Sequence, residues 1–124
     1  MATAPHISRA ARVLVVDRHP GARLGVGLAL ANDPKLELAA EASDLPGALS
    51  VIEGGADIDV VALDARAARP DAAAAIAALG RPVVLLRVES GPDFERLALR
   101  AGAVGQARKD DADAIVAALE AAAA

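Results

Sequence analysis

"RVLVVDRHP", residues 12–20, is a short apolar run, rich in β-branched residues, that stops on Asp17, Arg18 and His19 before Pro20. A run of this length without polar alternation is what a strand buried on both faces looks like. Pro20, with its fixed φ, suits the first turn of a helix that follows at once. Strand and helix then recur. "LELAAEA" (36–42), "IDVVALD" (58–64), "PVVLLR" (82–87) and the weaker "AVGQA" (103–107) are further strand candidates at similar intervals. Between and after them lie stretches of helical period: from Pro20 to the break at "NDP", then 45–55, 71–80, 92–102 and 111–124. Asp44 and Asp71 stand where N-caps belong, and Gly54, Gly55 and Gly80 where helices stop. The fourth helix sets Phe94, Leu97 and Leu99 toward one side, with Arg96 and Arg100 spaced i,i+4. Alternation of this kind predicts an α/β domain of (βα)5 type, a doubly wound, five-stranded parallel sheet covered on both faces.

Composition agrees with one domain. The 124 residues suffice for a core without metal or disulfides, and there is no cysteine to supply thiolate sites. Hydrophobic residues make up 55 % of the chain but aromatics only 1 %, so Val, Leu, Ile and many Ala must fill the core and its helices must pack closely. No apolar stretch is long enough for a membrane span, and a cytoplasmic location is expected. Net charge is −4, positive charge is almost all arginine, and no basic stripe is interleaved with aromatics, so direct contact with nucleic acid is not expected of this domain. Residues 1–11 read as a flexible extension, 12–121 as the domain, and 122–124 as a tail or linker start.

In open parallel sheets chemistry gathers at the carboxyl ends of the strands. The residues there are Asp17 with Arg18, Asp64, Arg87, and Arg108 with Lys109, all charged. Neighbouring strands lie about 5 Å apart, so two carboxylates and an ammonium are expected to share one crevice. "GVG" at 25–27 falls inside a helix and is no dinucleotide fingerprint. His6 and His19 are too isolated to form a metal pair, and Asp110, Asp111 and Asp113 read as acids at a helix start.

Four ordered stretches resemble the receiver domains of bacterial two-component response regulators, over roughly residues 12–121. "VLVVDRHPGARLGVGLAL" is similar to "VLIVDDHPLVREGLRALL", "AAEASDLPGAL" to "VGEASDGEEAL", "VVALD" to "VVLLD", and "LRAGAVGQARKD" to "LRAGARGYLLKD". The likeness is to the NarL/FixJ-like subgroup that carries a LuxR-type DNA-binding output. It implies a flavodoxin-like fold with strand order 2-1-3-4-5. It implies Asp64 as phosphoacceptor, Lys109 as the cation on the phosphoryl group, and Asp17 in an acidic pair that holds Mg²⁺ together with Asp64 and the backbone carbonyl of Arg66. A sensor histidine kinase and a separate DNA-binding domain would be the partners.

The chain departs from that pattern at four places. Arg18 stands where the second acid belongs, and a guanidinium both fails to ligate Mg²⁺ and competes with it for the carboxylates. Arg87 replaces the Thr or Ser that ends the fourth strand. Gln106 replaces the switch aromatic, and "DARAARPDA" (64–72) replaces the usual acceptor loop. The expectation is an atypical receiver, with weak or absent Mg²⁺-dependent phosphorylation of Asp64 and with Arg18, Arg87 or both in the space of metal and phosphate. Three alternatives stand beside it. One is a conventional phosphorelay receiver that binds Mg²⁺. Another is a constitutive interaction or dimerisation module, a homodimer among its forms, with the helix around Phe94 to Arg100 or the last helix as contact face; Gln106, Phe94, Arg96 and Arg100 mark the expected switch or output face. The third is a sensor of anionic small molecules. No base, nucleophile and oxyanion donors converge beyond these parts, so an independent enzyme is not expected.

Overall fold

A computed structural model describes residues 9–88 and 92–124. Five strands, β1 (Ala11–Val16), β2 (Leu36–Ala42), β3 (Val60–Asp64), β4 (Val83–Arg87) and β5 (Gly105–Arg108), form one sheet in the order β2-β1-β3-β4-β5. Every pairing is parallel. The connecting helices are α1 (Pro20–Ala31), α2 (Leu45–Glu53), α3 (Ala72–Leu79), α4 (Pro92–Arg100) and α5 (Ala112–Ala123), and a 3-10 turn, Ala65–Ala68, follows β3 directly. The flavodoxin-like (βα)5 architecture expected from the sequence is present.

Alternate residues of each central strand face opposite layers. Leu14, Val16, Val61, Leu63, Val83 and Leu85 meet α2, α3 and α4 through Ala48, Ile76, Leu79 and Ala98. Val13, Val15, Val60, Ala62, Val84 and Leu86 meet α1 and α5 through Val26, Leu30, Ile115 and Leu119. That two-sided burial is why the strands read as unbroken apolar runs.

Helix ends follow their side chains. Asp44, Asp71 and Asp111 each accept a hydrogen bond from the backbone N–H three residues on, at 2.8, 3.0 and 3.0 Å. Gly80 closes α3 in the left-handed region, φ +61°, where an L side chain is strained.

Several boundaries differ from expectation. β3 starts two residues later than "IDVVALD"; Asp59 just before it is tied to β1 by its own N–H on the Arg12 carbonyl at 2.8 Å and by its carboxylate, which accepts from the Arg12 N–H and from Arg9. β5 starts at Gly105 and not Ala103, whose N–H bonds back to Ala98 as α4 ends. Arg9 pairs with Asp57 and Asp59, and Ala11 belongs to β1, so the extension expected over 1–11 is anchored from Arg9 onward. Residues 1–8 with His6, and Gly91 of the expected helix entry, lie outside the described residues. α5 continues through Ala123 into the expected tail.

Phe94, Leu97 and Leu99, expected toward one side of α4, differ in burial. Leu97 and Leu99 are 62 % and 68 % exposed, while Ala98 is buried and Phe94 and Ala101 are partly buried against the core. The helix therefore sits down on positions 94, 98 and 101, an i, i+4, i+7 stripe. Its two leucines point outward.

Candidate functional site

The order β2-β1-β3 reverses the direction of winding between β1 and β3, and the crevice at such a switch point opens above the strand carboxyl ends. Asp17 follows β1, Asp64 ends β3, and Lys109 follows β5. Both aspartates are buried, at 3 % and 2 % exposure. The Lys109 ammonium bridges them, Nζ lying 2.6 Å from Asp17 Oδ2 and 2.9 Å from Asp64 Oδ1. The three groups expected in one crevice are in contact.

Each carboxylate has further donors. Asp17 Oδ1 accepts the His19 backbone N–H at 2.9 Å and lies 3.2 Å from His19 Nδ1. The Arg23 guanidinium donates to the Asp17 carbonyl at 2.6 Å. Burial pushes the Asp17 carboxyl up. The Lys109 hydrogen bond, the His19 N–H, the Lys109 charge and the His19 ring together outweigh it and hold the group below its ordinary value. Asp64 Oδ1 accepts the Arg66 N–H at 3.3 Å, with Arg66 Nε 3.8 Å away. Asp64 Oδ2 is buried and has no hydrogen-bond partner.

The other two cations expected in the pocket differ in placement, Arg18 at the surface and Arg87 in the lining of the cleft beside Asp64. Arg18 is exposed, and among the described residues its side chain has no hydrogen bond or ion pair. It follows Asp17 as the strand gives way to the turn into α1, and so leaves the crevice for solvent. Arg87 is buried at 8 % exposure. Its Nε donates to Gln106 Oε1 at 2.5 Å, and its guanidinium lies 5.4 Å from the centre of the Phe94 ring. Gln106 Nε2 in turn donates to Glu95 Oε1 at 3.5 Å. The residues at the expected phosphate-sensing and switch positions thus form one polar link from β4 through β5 to α4. Arg96 pairs with Asp93 within α4, and Arg100 is exposed.

Of the oxygens expected to hold Mg²⁺, both of Asp17 and the Arg66 carbonyl already accept hydrogen bonds, the last from the Arg69 N–H at 3.3 Å within the 3-10 turn, so the ion would compete with those bonds; Asp64 Oδ2 has no hydrogen-bond partner and is the acceptor open to it. Among the described residues no group of three or more acids or histidines is placed to hold a metal. The ion needs near-octahedral oxygen coordination.

Sequence reasoning missed His19, Arg23 and Glu95 as site neighbours. The signal for His19 was its i+2 spacing from Asp17, which suits an aspartate that accepts the N–H two residues on. Of the acids at the start of α5, Asp111 caps the helix and Asp110 pairs with Arg108 at 3.0 Å.

No protein-family model and no curated protein matches the chain. Solved structures do. The signal receiver domain of the response regulator NarL from Mycobacterium tuberculosis is 32 % identical, with TM-score 0.79 over 94 % of this chain and 98 % of that one. A LuxR-family two-component response regulator from Aurantimonas sp. SI85-9A1 is 27 % identical, with TM-score 0.78 over 90 % and 84 %. The response regulator ChrA of a heme-sensing two-component system is 31 % identical, with TM-score 0.65 over 90 % of this chain and 57 % of that one. The sheet order, the Asp17–Lys109–Asp64 bridge at the strand ends and near-complete mutual coverage at 32 % identity agree: this chain belongs to the receiver domains of response regulators.

Proposed function

We propose that this domain is the signal-input half of a LuxR-type transcription regulator, acting on a separate DNA-binding domain, and that it works without Mg²⁺-dependent phosphorylation of Asp64. The observation that carries this reading is the Lys109 bridge. The ammonium bridges one oxygen of each carboxylate, while Arg18, in the place of the second acid, is turned to solvent. A metal would have to compete with the Lys109 ammonium for the two carboxylates. The Arg87–Gln106–Glu95 link supports the same reading from the signalling side. It ties β5 and α4 to β4 through side chains that carry neither the hydroxyl nor the ring of the usual switch.

The test is phosphoryl labelling. With acetyl phosphate and millimolar MgCl₂ the protein should not gain the mass of a phosphoryl group, whereas the Arg18→Asp/Arg87→Thr double variant should gain it at Asp64. Equal labelling of the two proteins refutes the proposal and makes the domain a conventional acceptor for a sensor histidine kinase.

A further inference from the structure

A cleft of about 710 Å³ lies beside Asp64, between the 3-10 turn and start of α3 on one side and β4 and α4 on the other. Its volume is in the range of small-molecule sites. Leu85, Phe94, Leu97 and Ala98 make an apolar wall, and Arg66 and Arg69 stand at the acceptor-loop end. The two ends differ in chemistry.

Charge there is unbalanced toward positive. Asp64 shares the Lys109 ammonium, 2.9 Å away, with Asp17, Asp93 is paired with Arg96, and Arg66, Arg69 and Arg87 all line the cleft. Arg66 reaches only the oxygen of Asp64 that Lys109 also holds, at 3.8 Å. The Arg69 guanidinium is exposed and, among the described residues, has no hydrogen bond or ion pair. Two arginine forks beside an apolar wall suit a ligand with a planar or tetrahedral anionic head and an apolar body. A bare anion would leave the wall wet, and a neutral apolar molecule would leave the forks unmatched.

We infer that this cleft is a binding site for an amphipathic organic anion, a carboxylate or phosphate monoester with a hydrocarbon or aromatic body, its head on Arg69 and Arg66 and its body against Phe94 and Leu97. Such a ligand spans from the acceptor loop to α4. It covers Leu97, which is 62 % exposed without it, and so favours whichever placement of α4 completes the contact. The domain then has an input that does not pass through Asp64. The inference stands whether or not Asp64 is ever phosphorylated.

Phe94 is the only aromatic residue of the chain, so a protein made with 4-fluorophenylalanine carries one ¹⁹F resonance, located in the wall of the cleft. Titration with octanoate should shift that resonance saturably, and octyl phosphate should act alike. Octylamine, with the same body and opposite charge, and inorganic phosphate, with no body, should bind at least tenfold more weakly. Arg69→Glu, at an exposed position whose side chain bonds to nothing described, should weaken octanoate tenfold or more while leaving the circular dichroism unchanged. The inference is overturned by any of three results: no saturable shift with octanoate, equal binding of octylamine, or full affinity in Arg69→Glu. Saturation by inorganic phosphate alone, at octanoate's concentration, also overturns it and leaves a simple oxyanion site. None of these outcomes depends on labelling of Asp64, so this inference and the metal-free reading fail separately.

Discussion

Replacing Lys109 with Met keeps the aliphatic stem and deletes the charge between two carboxylates that are 3 % and 2 % exposed. At an effective dielectric near 20, a unit charge pair at about 4 Å attracts by roughly 4 kcal/mol before desolvation; the ammonium makes two such contacts, at 2.6 and 2.9 Å. Part of that gross attraction offsets the cost of burying the groups. Breaking a buried ion pair by removing one partner typically costs about 3–5 kcal/mol, because the other charge is left uncompensated. Lys109→Met should therefore lose about that much. For a domain of this size each kcal/mol moves Tm by about 3–6 °C, so the midpoint should fall by about 10–25 °C.

The sign of the pH dependence is fixed by the same contacts. Asp17 in the intact protein has a lowered folded pKa. Its contribution is complete above the unfolded value of about 3.9 and is lost as pH falls through the folded value. In Lys109→Met the two carboxylates face each other without the cation. One is pushed up in the folded state and gives stability at low pH that disappears as pH rises. The deficit against the intact protein should be largest near neutrality and narrow toward pH 5 in urea melts, and adding Asp17→Asn should recover part of it. A deficit below about 1 kcal/mol at pH 7, or one that does not change with pH, would refute the bridge as the organising contact of the site.

Two further perturbations test the elements around it. Gln106→Ala removes an acceptor from the buried Arg87 guanidinium and should cost about 1–3 kcal/mol, with faster amide exchange in α4. Gln106→Glu, which keeps an acceptor, should cost less, and equal losses in the two variants would mean that the Arg87 contact does not hold the helix. At the ends of α3, Asp71→Ala should cost about 1 kcal/mol by loss of its cap. Gly80→Ala should cost about 1–2 kcal/mol from the left-handed backbone alone, since nothing stands within 4 Å of the added carbon. Denaturant midpoints measure both.

The strands and the meeting of Asp17, Asp64 and Lys109 were legible because parallel-strand runs have one physical cause, burial on both faces, and because strand ends in such a sheet converge. What was illegible was direction. Arg18 and Asp17 are adjacent, yet the chain turns between them, so one enters the crevice and the other leaves it; sequence spacing carries no sign for that turn. Arg87 lay within reach of Asp64 or of solvent by sequence, and the structure buries it beside Gln106 and Phe94. An amide on the neighbouring strand and a ring on the next helix offer a buried guanidinium both an acceptor and a π-face. On α4 the sequence grouped Phe94, Leu97 and Leu99 by hydrophobicity, but the helix rests on Ala98 and Phe94 and leaves both leucines exposed, so size alone did not tell which side faces the core.

Lys109 also belongs to the ladder. Its backbone N–H donates to the Arg87 carbonyl at 2.8 Å, and the Arg87 side chain returns across the same seam to Gln106. β5 is four residues long and lies at the sheet edge, so these two crossings are a large share of what fastens it. The residue that neutralises the carboxylates is thus also the last stitch of the edge strand. An opening that unzips the end of β5 also carries the ammonium from the carboxylates and loosens the start of α5, so this corner of the domain should breathe as one cooperative unit. Exchange of this corner with solvent should therefore follow the opening of the edge.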